Sequence, residues 1–498
     1  MSLLSDAVVA AEVLPAVDDK WDRYESPNFE LYSHNGDKES RAILHDLELL
    51  RAVFMDHFKM IERDRLEVTV YSFRRNRDMK AYSPHAAGQT KQIAGLYLAR
   101  PDRAVIMVGP SSASSNAQQV IFHEYIHHLF KAVGINPPLW YNEGMAEVLA
   151  GVKVQRDKVM FGQPMMEHVA WLQQGKLIPL DEFFAVTHDS VYYQSQNHAG
   201  LFYAQSWALL HFWMHGSSGI DPKGVSRFLK TVTDSEAMNS TTPRALFEEC
   251  FQMNYGDMQS LLGRYLRRGK YSYGGIPIPE ILPVTSYEKS PVSAETMRLR
   301  LAELAVRVQG GAAGKYVLLN ATAAPTVEPR VWEVLGSDAF VTGDIDSAAS
   351  YWDRAVEAGS NNSAVLRQLA QLEWGKWFNR FNYDLKLPVA VENRFRELLV
   401  RSIQQEPEQE ASYEMLIWLE TFANTPVIQN VNDVQRRFPK LKDKNRTLLG
   451  LALFRARHDD PEDAIKLIRV LRTAKLDEWT TSAVEVSLAR LEGRPVPE

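Results

Sequence analysis

The chain is almost without cysteine. Cys250 is the single one in 498 residues, which excludes an intrachain disulfide framework and any zinc ribbon built from thiolates. Metal or nucleophile chemistry must therefore use histidine, carboxylate, serine or tyrosine. Excess charge is also lacking. A net charge of −6 offers no basic face, so nucleic acid is not an expected partner, and the basic stretch "YLRRGKYS" at 265–272 reads as a solvated helix end. No glycine-rich phosphate loop follows a strand and no G-x-S-x-G elbow occurs, which leaves nucleotide binding and serine hydrolysis without support. The N-terminal segment has no basic n-region, and Asp6 and Glu12 interrupt its apolar stretches, so no signal peptide is expected as written and the compartment stays open. The best candidate for a membrane span, Gly200 to Ile220, is uncharged and about long enough. It holds Gln205, Ser206, His211 and His215, which are costly in lipid, and it reads as a buried helix of a soluble domain.

A chain of this length is expected to divide into two or three domains. Residues 1–20 read as a tail. Over 21–110, "NFELYS" and "LEVTVYSF" alternate with the period of strands, and "SRAILHDLELLRAVFMDHF" between them has helical spacing. "AGLYLA" and "AVIMVG" flank "RPDR", which suits a turn between paired strands. The expectation is a small α/β subdomain with a mixed sheet. Residues 111–272 read as mostly helical, with "SSASSN" offering N-caps ahead of the first long helix. Residues 273–295 carry four prolines and two adjacent glycines and read as an interdomain linker. Over 296–498 helical pairs recur. Trp332, Leu335, Gly336, Ala348, Trp352 and Ala355 fall at the offsets of a tetratricopeptide repeat, with a looser copy at Leu451, Ala452 and Ala464. A non-repeating helical bundle is the alternative.

Within "VIFHEYIHHLF", at 120–130, three histidines and a glutamate interrupt an apolar run. His123 and His127 are four apart, one above the other on one helical face, so both imidazoles can reach one ion. Glu124 is offset around the helix, where it can reach a water on that ion. This is the H-E-x-x-H arrangement of zinc hydrolases. A catalytic zinc needs a third protein ligand and keeps one position for water. Glu143, in "LWYNEGMAEVLAG", would supply it from a second helix, after a turn stiffened by Pro137 and Pro138. Glu147 lies four further on, on the same face, and suits an outer role, accepting the second ring N–H of a ligating histidine. Spacing leaves the reverse assignment of the two glutamates open. His128 points about 100° away and reads as packed or surface. His168, His188, His211 and His215 have no ligand-like spacing and read as structural.

"HEYIH" followed by "WYNEGMAE" resembles the gluzincin group of metallopeptidases, and "FYAQSWALLHFW" is similar to the matching helix of a bacterial peptidase-like domain often fused to tetratricopeptide repeats. The resemblance covers about Trp21 to Gly269. It implies an α+β N-terminal zincin-like metallopeptidase domain, a small mixed sheet plus a helical subdomain, followed by an all-α tetratricopeptide-like helical repeat domain. It implies one Zn2+ per chain on His123, His127 and Glu143, with Glu124 as general base. It also implies an oxyanion donor from the region of Tyr203, with His198 as the competing choice. No G-A-M-E-N segment precedes the motif helix, which turns the expectation from aminopeptidase towards endopeptidase. "GLYLA", beginning at Gly95, is a candidate sheet edge for an extended peptide. The expected partners are a protein or peptide substrate and a protein bound through the repeats. The alternative is a scaffold whose peptidase-like domain is structural and whose repeats carry the function.

Overall fold

The computed structural model of the chain describes Leu14 and residues 20–57, 59–86, 89–90, 95–110, 115–194, 196–216, 219–233, 243–278, 287–459 and 461–496. Among these lie eleven strands: β1 Asp22–Glu25, β2 Phe29–Ser33, β3 Glu67–Ser72, β4 His85–Ala86, β5 Gln89–Thr90, β6 Gly95–Ala99, β7 Arg103–Val108, β8 Lys153–Gln155, β9 Lys158–Phe161, β10 Gly274–Pro277 and β11 Glu288–Pro291. Six form a mixed sheet in the order β11-β1-β2-β3-β7-β6. β3 runs parallel to both its neighbours, β2 and β7, while β6 returns antiparallel to β7 through the Pro-Asp turn and forms one edge. The fold is thus α+β, with a small mixed sheet and a helical C-terminal region.

Alternation along the strands serves two covered faces. Val68 and Val70 of β3 and Ile106 of β7 join a core with Leu44 and Leu47 of α1 (Asp37–Ala52) and with Ile121 and Phe122 of α2 (Ser115–Ala132). The intervening Tyr71, Val105 and Met107 pack on the opposite face against Met297, Leu301 and Leu304. Those last three belong to the first helix after the proline-rich stretch, Ala294–Gln309. The segment read as a linker therefore takes part in the fold. Its β11 caps the sheet by pairing with β1, and β10 pairs with β9 in a second, three-stranded sheet. Extended chain with prolines at strand ends satisfies an exposed sheet edge that a helix could not. The proposed N-caps Ser111 to Ser114 lie outside the described residues.

Motif helix α2 and α3 (Leu139–Ala150) pack together, joined by a short loop in which Gly134 has φ +69°. Behind α3 runs α4 (Met166–Gln174) and then α5 (Gln196–His215), the former membrane candidate. Among the described residues no helix is long and apolar enough to cross a membrane. α3 crosses α5 at Gly144, where an added Cβ would lie 2.5 Å from the Ser206 carbonyl oxygen. Only glycine permits that approach.

In the C-terminal region, helices 329–341 and 345–357 pack as a pair, as do 445–458 and 461–471. Trp352 is fully buried, and a Cβ at Gly336 would run into its indole. Trp332 lies beneath the Arg354 guanidinium, 5.0 Å away. This region is bound to the sheet through buried charge. Arg307 donates two hydrogen bonds to Asp102 in the β6–β7 turn, at 2.7 and 2.6 Å. Arg330 bonds Glu303 at 2.7 Å, Thr69 at 3.1 Å, and Glu30.

Candidate metal centre

α2 is apolar around most of its circumference. Ile121, Phe122, Tyr125, Ile126, Leu129 and Phe130 are all buried. That leaves one partly open strip, and His123, Glu124 and His127 occupy it. The tertiary fold thus answers why a core helix carries these groups: they lie on the side of α2 that meets α3, with Tyr203 of α5 beside them.

Glu143 meets the two histidines from α3. His123 Nε2 and His127 Nε2 are 3.0 Å apart, and Glu143 Oε2 stands 3.1 and 3.2 Å from them. Three donor atoms so spaced could hold one divalent ion between them, and two imidazole nitrogens with a carboxylate oxygen are ligands that zinc takes. Glu143 Oε2 is buried and, although in ionic contact with both rings, receives no hydrogen bond at acceptable angles. A buried carboxylate oxygen left this way is costly, and a cation at the centre of the triangle removes the cost. The residues fit a divalent metal.

Each ring is held from behind. His127 Nδ1 lies 2.9 Å from Asn142 Oδ1, and His123 Nδ1 lies 3.2 Å from Glu147 Oε1. A carboxylate or amide oxygen there requires the proton on Nδ1 and turns the Nε2 lone pair towards the shared point. Glu143 and Glu147 thus sit on opposite sides of His123, a distinction that spacing on one helical face does not draw. Burial raises the pKa of both carboxylates. The nearby imidazoles, His123 for both with His127 for Glu143 or His168 for Glu147, outweigh it and bring each down to about 2. Burial opposes protonation of His123, but its bonds to the same two carboxylates hold it up near about 10. Without metal the cluster keeps a proton that an entering cation displaces.

Two tyrosines complete the wall. Tyr203, on α5, places its ring edge-on 6.0 Å from His123. Its ring lies 6.1 Å from that of Tyr193, whose hydroxyl donates to Glu143 Oε1 at 3.3 Å. Burial, then the charge of Glu143, pushes the Tyr203 phenol well above its ordinary range, so it remains a donor. The His198 side chain lies outside the described residues. Glu124 is half-buried on the same strip.

Other histidines divide. His128 is buried, stacked on Tyr125 at 5.6 Å, and burial lowers its pKa to about 4. His211 is buried between the Tyr265 hydroxyl and the Gly162 carbonyl, 2.6 Å from each. Both are structural, as expected. His168 differs: its Nε2 lies 3.0 Å from Glu147 Oε2. Asn142, Tyr193 and His168 were missed in the sequence. Asn142 adjoins Glu143, and that adjacency was a usable signal. Tyr193 and His168 arrive from separate elements, and no spacing announces them.

No protein-family model matches the chain, and no curated protein matches it.

Proposed function

We propose that the chain is a zinc-dependent endopeptidase of gluzincin type whose tetratricopeptide-like helices recruit a protein substrate or partner. The observation that carries this reading is the triangle of His123 Nε2, His127 Nε2 and Glu143 Oε2, with the last atom buried and without a hydrogen bond. Histidine-rich, carboxylate-poor ligation with room for one more ligand suits zinc.

Held by His123, His127 and Glu143, zinc would supply a water acidified to near neutral pH and a Lewis acid for a carbonyl oxygen. The remaining chemistry belongs to the side chains. Glu124, beside His123 but not among the three donors, accepts the proton of the attacking water on its carboxylate and returns it to the leaving amine. Tyr203, with Tyr193 beside it, donates to the oxygen that gains charge in the tetrahedral state, a contribution typically of about 10²–10³ in rate. β6 is an edge strand packed beside α2, and its free backbone groups suit an extended peptide laid along the cleft. The hairpin carrying that edge is pinned to the helical region through Asp102 and Arg307, so a protein held by the helices would be held close to the cleft.

The test joins metal analysis of tag-free protein to digestion of casein with and without chelator. The expected result is one zinc per chain and chelator-sensitive cleavage. Glu124→Gln should lose about 10²–10⁴ of turnover yet keep its zinc. Lost zinc in that variant removes the assignment of Glu124. Zinc-free, inert protein that still captures a partner favours the scaffold reading.

A further inference from the structure

Behind Glu147 stands a third layer. The carboxylate spans two imidazoles, with Oε1 3.2 Å from His123 Nδ1 and Oε2 3.0 Å from His168 Nε2. His168 lies in the first turn of α4, an element that packs on α5 rather than on the motif helix. Its ring also meets Trp207 of α5, with centroids 5.9 Å apart. The side chain is largely covered, at 15 % exposure, and Glu147 is at 13 %. A carboxylate is an acceptor only, so His168 must present its proton on Nε2. His168 supplies the hydrogen bond to one oxygen, and the His123 ring lies against the other, so the Glu147 carboxylate is held between two imidazoles. Without His168 it loses that hydrogen bond and is freer to rotate about its last torsion, which is broad.

We propose that His168 is a positioning residue for the metal centre: through Glu147 it fixes the orientation of the His123 imidazole and thereby raises affinity for a divalent metal. The inference rests on the metal-site reading above. It acts on metal binding first and on turnover only through it. Outer partners of ligating histidines are typically worth about 10–100-fold in metal affinity, and a group acting through such a partner belongs at the lower end.

The experiment measures zinc affinity of the full chain by competition with a chromophoric chelator. The variants are His168→Phe, which keeps a ring without a donor, His168→Gln, which restores an N–H donor, Glu147→Ala, and the double variant Glu147→Ala with His168→Phe. The expected outcome is about tenfold weaker binding for His168→Phe and near-parent binding for His168→Gln. In the Glu147→Ala background, His168→Phe should add nothing, because the route through Glu147 is already cut. If His168→Phe does not fold, His168→Met takes its place as the donor-free variant. Additive losses in the double variant overturn the proposal, as does parent-level affinity in His168→Phe. Equal weakening in His168→Gln and His168→Phe also overturns it, since that marks packing rather than donation. A parent chain that binds no zinc removes the metal-site reading itself, an outcome distinct from zinc bound equally by parent and variants.

Discussion

Two of the clusters of buried charge among the described residues are closed in different ways. Between the sheet and the C-terminal helices, Arg103, Arg300, Arg307 and Arg330 face Glu30, Asp102, Glu303 and Glu333. Guanidiniums and carboxylates alternate there, and Glu67, Glu328 and Arg23 extend the network at its rim. Beneath the cleft, His123, His127, Glu143 and Glu147 converge with no arginine or lysine among them. The first cluster carries its own counter-ions. The second brings acceptor atoms together without one, and the metal proposed above would supply it. Buried ionic groups are tolerated when paired, which is why the second cluster, and not the first, is the candidate for a bound cation.

Removing a cation from the closed cluster gives the largest expected effect on stability. Arg307→Ala leaves Asp102 buried without its partner and should cost about 3–5 kcal/mol, read in denaturant melts and unaltered by chelator. Replacing Arg307 and Asp102 together with apolar residues should recover most of that loss, and failure to recover it would mean that the pair does more than neutralise itself. The open cluster should respond the other way. Chelation of the parent should remove about 2.7 kcal/mol when free zinc had stood a hundredfold above its Kd, and Glu143→Ala should abolish the response. A chelator effect that survives Glu143→Ala would place the metal elsewhere.

Glu147→Ala should be milder, weakening zinc about 10–100-fold, and less than Glu143→Ala does. A reversal of that order exchanges ligand and support. The remaining effect is on pH, and it is slight near neutrality. His128 and His211 both have folded-state pKa values lowered to about 4, chiefly by burial. The unfolded chain takes up protons first as pH falls from about 6.5, so each site removes stability at about 1.4 kcal/mol per pH unit down to about 4. Substituting His211 by Phe should flatten part of that acid slope, while costing its bonds to Tyr265 and Gly162 at neutral pH.

Local pattern carried much of this. The strands at "NFELYS" and "LEVTVYSF", the paired strands around "RPDR", and the helix at 120–130 lie where periodicity places them, because alternation and helical spacing are properties of neighbouring residues. The proline-rich stretch was misread for a physical reason. Proline reports that a helix cannot continue, but says nothing of whether an extended segment finds a sheet edge to pair with, and β10 and β11 each find one. His168 was read as structural for a similar reason: its partner Glu147 is 21 positions away on another helix.

By itself the sequence determined the donor set. With a single cysteine and an H-E-x-x-H helix, the residues able to hold a metal were confined to a few histidines and glutamates, two of them stacked by helix geometry alone. Only the tertiary structure decided which glutamate meets both Nε2 atoms and which stands behind, since one helical face offers both at the same angle. The packing of α3 between α2 and α5, the latter crossed closely at Gly144, brings one carboxylate to the front of His123 and carries the other past it.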